Sequence, residues 1–283
     1  MEKKFERNTF GKRLGTMLKV DFRRMFTMRF LYIMVAVCLV IPILILVMTT
    51  MMEGTVSVNP QTGIETVSEG FDNAWQLIGT VSSGASEPAA PAEPADPASA
   101  TAEASVDMLS MCNLNMLYFA VAVLVCVFVA DDFRSGYAKN LFTVRAAKTD
   151  YVISKTLVCF VGGALMILAF FGGTMLGGAI AGLPFAMEGF GVGNLVMCIL
   201  SKLLVVLVFV PIYLTMSVIG KQKLWLSMVL SFMTGMLLFM MIPMLTPLDA
   251  TILNVLLCLI GSALISVGLG AVSNLILKKT SLV

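Results

Sequence analysis

Residues 30–52 read FLYIMVAVCLVIPILILVMTTMM, without one charged side chain. A helix crosses the hydrocarbon core of a bilayer with about 20 such residues. Nine Lys and Arg precede the run within residues 1–29. The run also exceeds the roughly 7–15 apolar residues of a cleaved signal peptide, so it reads as a permanent anchor. Five further runs of the same character fall at about 108–130, 155–182, 195–219, 224–245 and 251–277. A barrel would show short alternating segments instead. The expectation is an all-α polytopic membrane protein with six transmembrane helices.

Composition supports this. Of 283 residues 58% are apolar and 13% charged, with a mean hydropathy of +0.94, whereas soluble domains carry about 25% charged residues. A soluble enzyme, a disordered chain and a nucleic-acid reader are excluded. There is no histidine, and the six cysteines fall inside apolar runs with no C-x-x-C pair, so neither a metal centre nor a disulfide framework is expected. Charge sorts by loop. Residues 131–151 hold Arg134, Lys139, Arg145 and Lys148, and Lys221, Lys223, Lys278 and Lys279 follow in later basic segments. Loops 53–107, 183–194 and 246–250 hold no Lys or Arg, only acids. The positive-inside rule then places both termini in the cytoplasm.

The chain divides into a basic cytoplasmic leader, 1–29, and a six-span domain, 30–283. In the leader, Phe10, Leu14, Met17, Leu18, Phe22, Met25 and Phe26 recur at helical spacing, with Lys12, Arg13, Lys19, Arg23 and Arg24 on the other faces. That pattern predicts an interfacial helix against anionic membrane lipid. The outer loop 53–107 holds a short amphipathic stretch around Phe71, Ala74, Trp75 and Ile78. It also holds a Pro/Ala/acid segment, 84–104, too poor in apolar surface to order itself. In the cytoplasmic loop 131–151, Phe133, Tyr137, Leu141 and Val144 recur near helical spacing, and Thr149 offers an N-cap. This predicts a short amphipathic helix whose aromatic and charged side chains are available to a partner.

Within the spans, Gly173 and Gly177, Gly178 and Gly182, and Ser262, Ser266 and Gly270 follow the small-xxx-small pattern of helix packing. Lys155 is expected to snorkel to the headgroups. Lys202 lies deeper and is a candidate intramembrane polar site. No acid lies well inside a span and no phosphate-binding loop is present, which argues against an ion-coupled carrier and an ATPase. An intramembrane enzyme would have to use polar residues such as Asn113 or Asn115, without a catalytic pair.

The arrangement resembles the permease subunit of bacterial type-2 ABC exporters. The resemblance is carried by Asp132-Phe133-Arg134-Ser135-Gly136, continuing through Lys139-Asn140-Leu141 to Lys148, Tyr151 and Lys155. Family members typically place a glycine four residues after an acid, then a basic residue, then a basic–x–x–aromatic–x–x–x–Lys run into the third span. The resemblance implies that this loop is a coupling helix. Its docking surface for an ATP-binding cassette subunit would be Asp132, Phe133, Arg134, Gly136, Tyr137, Lys139 and Leu141, and the leader would be the elbow helix. It implies a bacterial cytoplasmic membrane location, a second permease copy or paralogue as partner, and ATP and Mg on the ATPase subunit, with no cofactor and no enzyme activity in this chain. The cargo implied is an amphipathic peptide, a lipid-like molecule or a drug. The alternative is a non-transporting membrane sensing or immunity component. Two departures stand out: the turn before Lys148 lacks the proline often seen there, and 246–250 is too short for a substantial re-entrant hairpin.

Overall fold

The computed structural model describes residues 10–52, 56–58, 65–67, 81–82, 105–107, 116–144, 148–183, 185–186, 191–220, 223–239 and 251–279. Eight helices carry the described fold: α1 (Phe10–Thr27), α2 (Arg29–Met52), α3 (Leu117–Arg134), α4 (Tyr137–Val144), α5 (Lys148–Ala181), α6 (Val192–Gly220), α7 (Leu224–Phe239) and α8 (Ile252–Lys279). Five strands of two or three residues lie in the segments between these helices and leave the class all-α. β1 (Val56–Val58) pairs antiparallel with β2 (Glu65–Val67), and β3 (Val81–Ser82) pairs antiparallel with β4 (Ser105–Asp107). β4 also pairs in parallel with β5 (Phe185–Ala186), which joins the long loop after α2 to the α5–α6 connection. The expected amphipathic stretch 71–78 and the Pro/Ala/acid segment 84–104 lie outside the described residues.

Among the described residues four helices are long and apolar enough to cross a membrane, within Arg29–Met48, Lys148–Ala181, Val192–Gly220 and Ile252–Lys278. The chain is thus a polytopic helical membrane protein. Two expected spans fall short among the described residues. α3 has 18 residues and gives its last turn to Asp131, Asp132 and Arg134, while α7 has 16.

Small residues set the packing. A Cβ on Gly173 would strike the Leu39 backbone and come within 2.8 Å of the Pro42 ring, and one on Gly177 would lie 2.9 Å from Ile43 Cα. α5 therefore rests directly on α2, as the four-residue glycine spacing anticipates. Gly182 does something else. Its φ of +70° ends α5 in the left-handed conformation, and Leu183 N–H donates to Gly178 O at 3.0 Å, the closure of a helix C-terminus. Gly162 and Gly163, not singled out by pattern, bring α5 against Leu124 of α3 and Val206 of α6. A Cβ on Gly270 would lie an ordinary 3.6 Å from Val152, and buried Ser262 donates within its own helix to Leu259 O.

Ser266 has a more specific task. Pro211, inside α6, has no N–H for the carbonyl of Leu207 four residues earlier. The Ser266 hydroxyl donates to that carbonyl at 2.6 Å. One turn on, Thr215 donates to Pro211 O at 2.7 Å and so accepts from Ser273, 2.5 Å away. Elsewhere α8 exposes Leu253, Leu256, Leu264 and Val267, as a lipid-facing helix does. The core lies between α3, α5 and α6, where Tyr118 stacks on Phe209 at 4.8 Å.

Gly173→Leu should abolish the monodisperse gel-filtration peak of detergent-extracted protein. Gly172→Leu, whose added Cβ meets nothing within 4 Å, should leave that peak unchanged.

Candidate functional site

The site lies where α1, the end of α3, α4 and the start of α5 meet. The apolar stripe of α1 buries Met17 and Met25, and Asp21 sits between them at the same four-residue spacing. An acid on a buried face demands a cation, and Lys155 of α5 supplies it. Its ammonium is fully buried, 3.0 Å from Asp21 Oδ1 and 2.7 Å from Asp132 Oδ2. Lys155 therefore does not snorkel to the headgroups, because two carboxylates hold it inside. The Phe128 ring lies 3.9 Å from the ammonium and adds a cation–π contact.

The remaining carboxylate oxygens are also occupied. Ser154 donates to Asp21 Oδ2 at 2.6 Å, and the Tyr151 hydroxyl donates to Asp132 Oδ2 at 2.9 Å. Arg24 of α1 reaches Asp132 Oδ1 at 2.5 Å and Asp131 Oδ2 at 3.1 Å. The inner set of Asp21, Asp132, Lys155 and Arg24 is neutral in sum, as a low-dielectric site requires. Burial opposes the charge on Arg24, but Asp132 and Asp131 outweigh it and hold its pKa above the ordinary value. The Arg24 guanidinium also lies 4.1 Å from the Tyr137 ring centroid. Burial, reinforced by Asp21 and Asp132, pushes the Tyr137 hydroxyl up to about 12, so it stays neutral near pH 7. A second pair, Arg13 Nε and buried Asp150 at 3.5 Å, ties α1 to the first turn of α5.

The expected docking residues separate into two sets. Asp132, expected on the docking surface, is fully buried, so its carboxylate is committed within the chain. Phe133, Tyr137 and Leu141 are half-buried, whereas Arg134 and Lys139 are exposed. The expected continuous amphipathic helix is broken: α3 runs on through Arg134, and α4 begins after Gly136. Gly136 has a φ of +75° and open space where a Cβ would sit. Its role is therefore conformational, turning the chain so that Asn140 N–H bonds to its carbonyl at 3.0 Å. Thr149, expected as an N-cap, lies within α5 and accepts from Asn274 Nδ2 at 3.0 Å.

Lys202 is apart from this site and buried, and its backbone carbonyl accepts the Tyr118 hydroxyl at 2.9 Å. Among the described residues no group of His, Cys, Asp and Glu is arranged to hold a metal.

Sequence pattern missed Asp21, Arg24, Tyr151, Ser154 and Lys155 as members of one site. The available signal was Asp21 itself, an acid in register with Met17 and Met25.

Removing Lys155 leaves two buried carboxylates facing each other. Lys155→Met should lower stability by about 3–5 kcal/mol, the cost of an orphaned buried charge. Thermal unfolding in detergent should show partial recovery in Lys155→Met/Asp132→Asn. Recovery no greater than in the single variant would mean that the two charges are not coupled.

Among curated proteins and among solved structures, none matches the chain. The sequence model of the family described as "ABC-2 family transporter protein" matches residues 92–238, just over half of the chain. The match spans α3 through α7, including the charged end of α3, the Gly136 turn and Lys155. The chain belongs to the ABC-2 transporter family, as a membrane-embedded permease.

Proposed function

We propose that this permease is half of an ATP-driven exporter. The observation that carries the reading is the charge cluster, which fastens α1 and the α3–α4 turn to the base of α5. In this reading α2, α3, α5, α6, α7 and α8 are the six spans, both termini are cytoplasmic, and α1 lies in the inner headgroup layer. α4 is the coupling helix. Exposed Arg134 and Lys139 meet a complementary acidic groove on a separate ATP-binding subunit, which carries ATP and Mg. A second copy or a paralogue completes the pore, since one docking helix per six spans presents half of a two-fold assembly. ATP-driven closure shifts the pore only in so far as the docking helix binds its two states with different affinity. The cluster makes that shift mechanical, because movement of α4 carries α1 and α5 with it. The cargo in this reading is amphipathic, a peptide or a lipid-like molecule or drug. A soft path rich in Met and Phe suits it, with 22 and 18 of these residues in the chain.

Mild solubilisation, affinity capture and mass spectrometry should recover a Walker-motif ATPase with the wild-type chain. The charge reversal Arg134→Glu/Lys139→Glu should reduce that recovery at least tenfold, the effect of losing about 1.4 kcal/mol, with expression unchanged. Gly136→Trp should keep the ATPase bound and uncouple its hydrolysis from transport. Absence of any ATPase, under conditions that preserve a known ABC complex, would transfer the chain to the sensing or immunity class.

A further inference from the structure

A cavity of about 450 Å³ lies between α5, α6 and α8, lined by Val152, Thr156, Leu207, Ser266 and Gly270, with Asn274 at one end. From Ala263 to Asn274 it follows α8 for roughly 16 Å at a rise of 1.5 Å per residue. That is about half of a 30 Å hydrocarbon core, one leaflet deep. That length and an apolar wall suit a single hydrocarbon chain.

The lining chemistry agrees. The hydroxyls facing the cavity are already spent within the protein: Thr156 donates to Val152 O at 2.9 Å and Ser266 to Leu207 O at 2.6 Å. What remains on the wall is almost entirely methyl and methylene. Polarity returns only at the basic end of the bundle, where Asn274 and Thr149 bond to each other. Their chain neighbours there are exposed Lys278, one turn beyond Asn274, and Lys148. Lys148 gives one proton to Leu277 O at 2.5 Å, and an ammonium carries three.

We infer that this cavity binds one acyl chain of an anionic phospholipid from the leaflet at the basic end, with its phosphate held by Lys278 and Lys148. The site rests on the membrane location of the helices and is independent of ATP coupling. An acyl chain there would wedge α8 against α5 on the side of α6 that the Ser266 bond holds.

The test is native mass spectrometry of the full chain reconstituted into vesicles of phosphatidylglycerol and phosphatidylcholine in equal amounts. The wild type should retain phosphatidylglycerol in preference to phosphatidylcholine. Lys278→Gln, a surface change that leaves the fold intact, should reduce that preference about fivefold, the worth of one lysine near an anionic surface. Gly270→Phe should reduce total retained lipid, and Ala271→Leu, a smaller filling of the same wall, should do so in part. Equal retention of the two lipids by the wild type would overturn the headgroup assignment. Unchanged retention in both filled variants would overturn the cavity assignment. A dimeric preparation that retains no lipid would put a second chain in its place.

Discussion

The contact on which the described fold depends is the one between Lys155 and the two aspartates. An ammonium removed from water loses several kcal/mol of solvation, which neighbouring charges must offset. One carboxylate would have neutralised Lys155, but Asp132 needs Arg24 as well, and Asp21 needs Ser154. The requirement therefore spreads over three segments distant in sequence. α1 is not free to take any orientation against the bundle, because Asp21 and Arg24 are three residues apart and both must reach the same cluster. Arg13 and Asp150 fix its other end. The orientation of the amphipathic helix thus comes from charge pairing inside the protein as well as from its apolar stripe.

The same logic shows what could be read from sequence and what could not. Apolar run length is a local property, so the helices around residues 30–52, 155–182, 195–219 and 251–277 were legible. So was the packing of Gly173 and Gly177, since a four-residue glycine spacing marks one helix face. Lys155 was not legible, because its position near the end of an apolar run is equally consistent with snorkelling and with burial. Only the arrival of Asp21, 134 residues earlier in the chain, distinguishes the two. Asp132 was misplaced for the mirror reason: an acid in a basic loop looks available until its cation is found. Gly182 shared the spacing of a packing glycine but serves as a helix terminus, a distinction made by φ alone.

Backbone repair around Pro211 follows a different rule. In water an orphaned carbonyl is solvated at little cost; inside a bilayer it must find a donor in the protein. Leu207 O finds Ser266 from α8, so the break in one helix becomes a point of attachment for another. Thr215 and Ser273 repeat the attachment one turn along. The serines of α8 therefore have a directional role that the small-residue pattern alone does not express: small size permits the approach, and the hydroxyl fixes the register.

Two kinds of adhesion thus operate at different places in one molecule. Along the spans, close glycine contacts and hydroxyl bonds such as Ser266 to Leu207 O set the approach and register of uncharged surfaces. At the base of α5 the contacts are charged and short: Asp132 gives Oδ1 to Arg24 and shares Oδ2 between Lys155 and Tyr151, and displacement by one helical turn would leave a buried charge unpaired. This region lies beside the Gly136 turn and the exposed Arg134 and Lys139, so displacement of that turn would unpair a buried charge unless α1 and α5 moved with it.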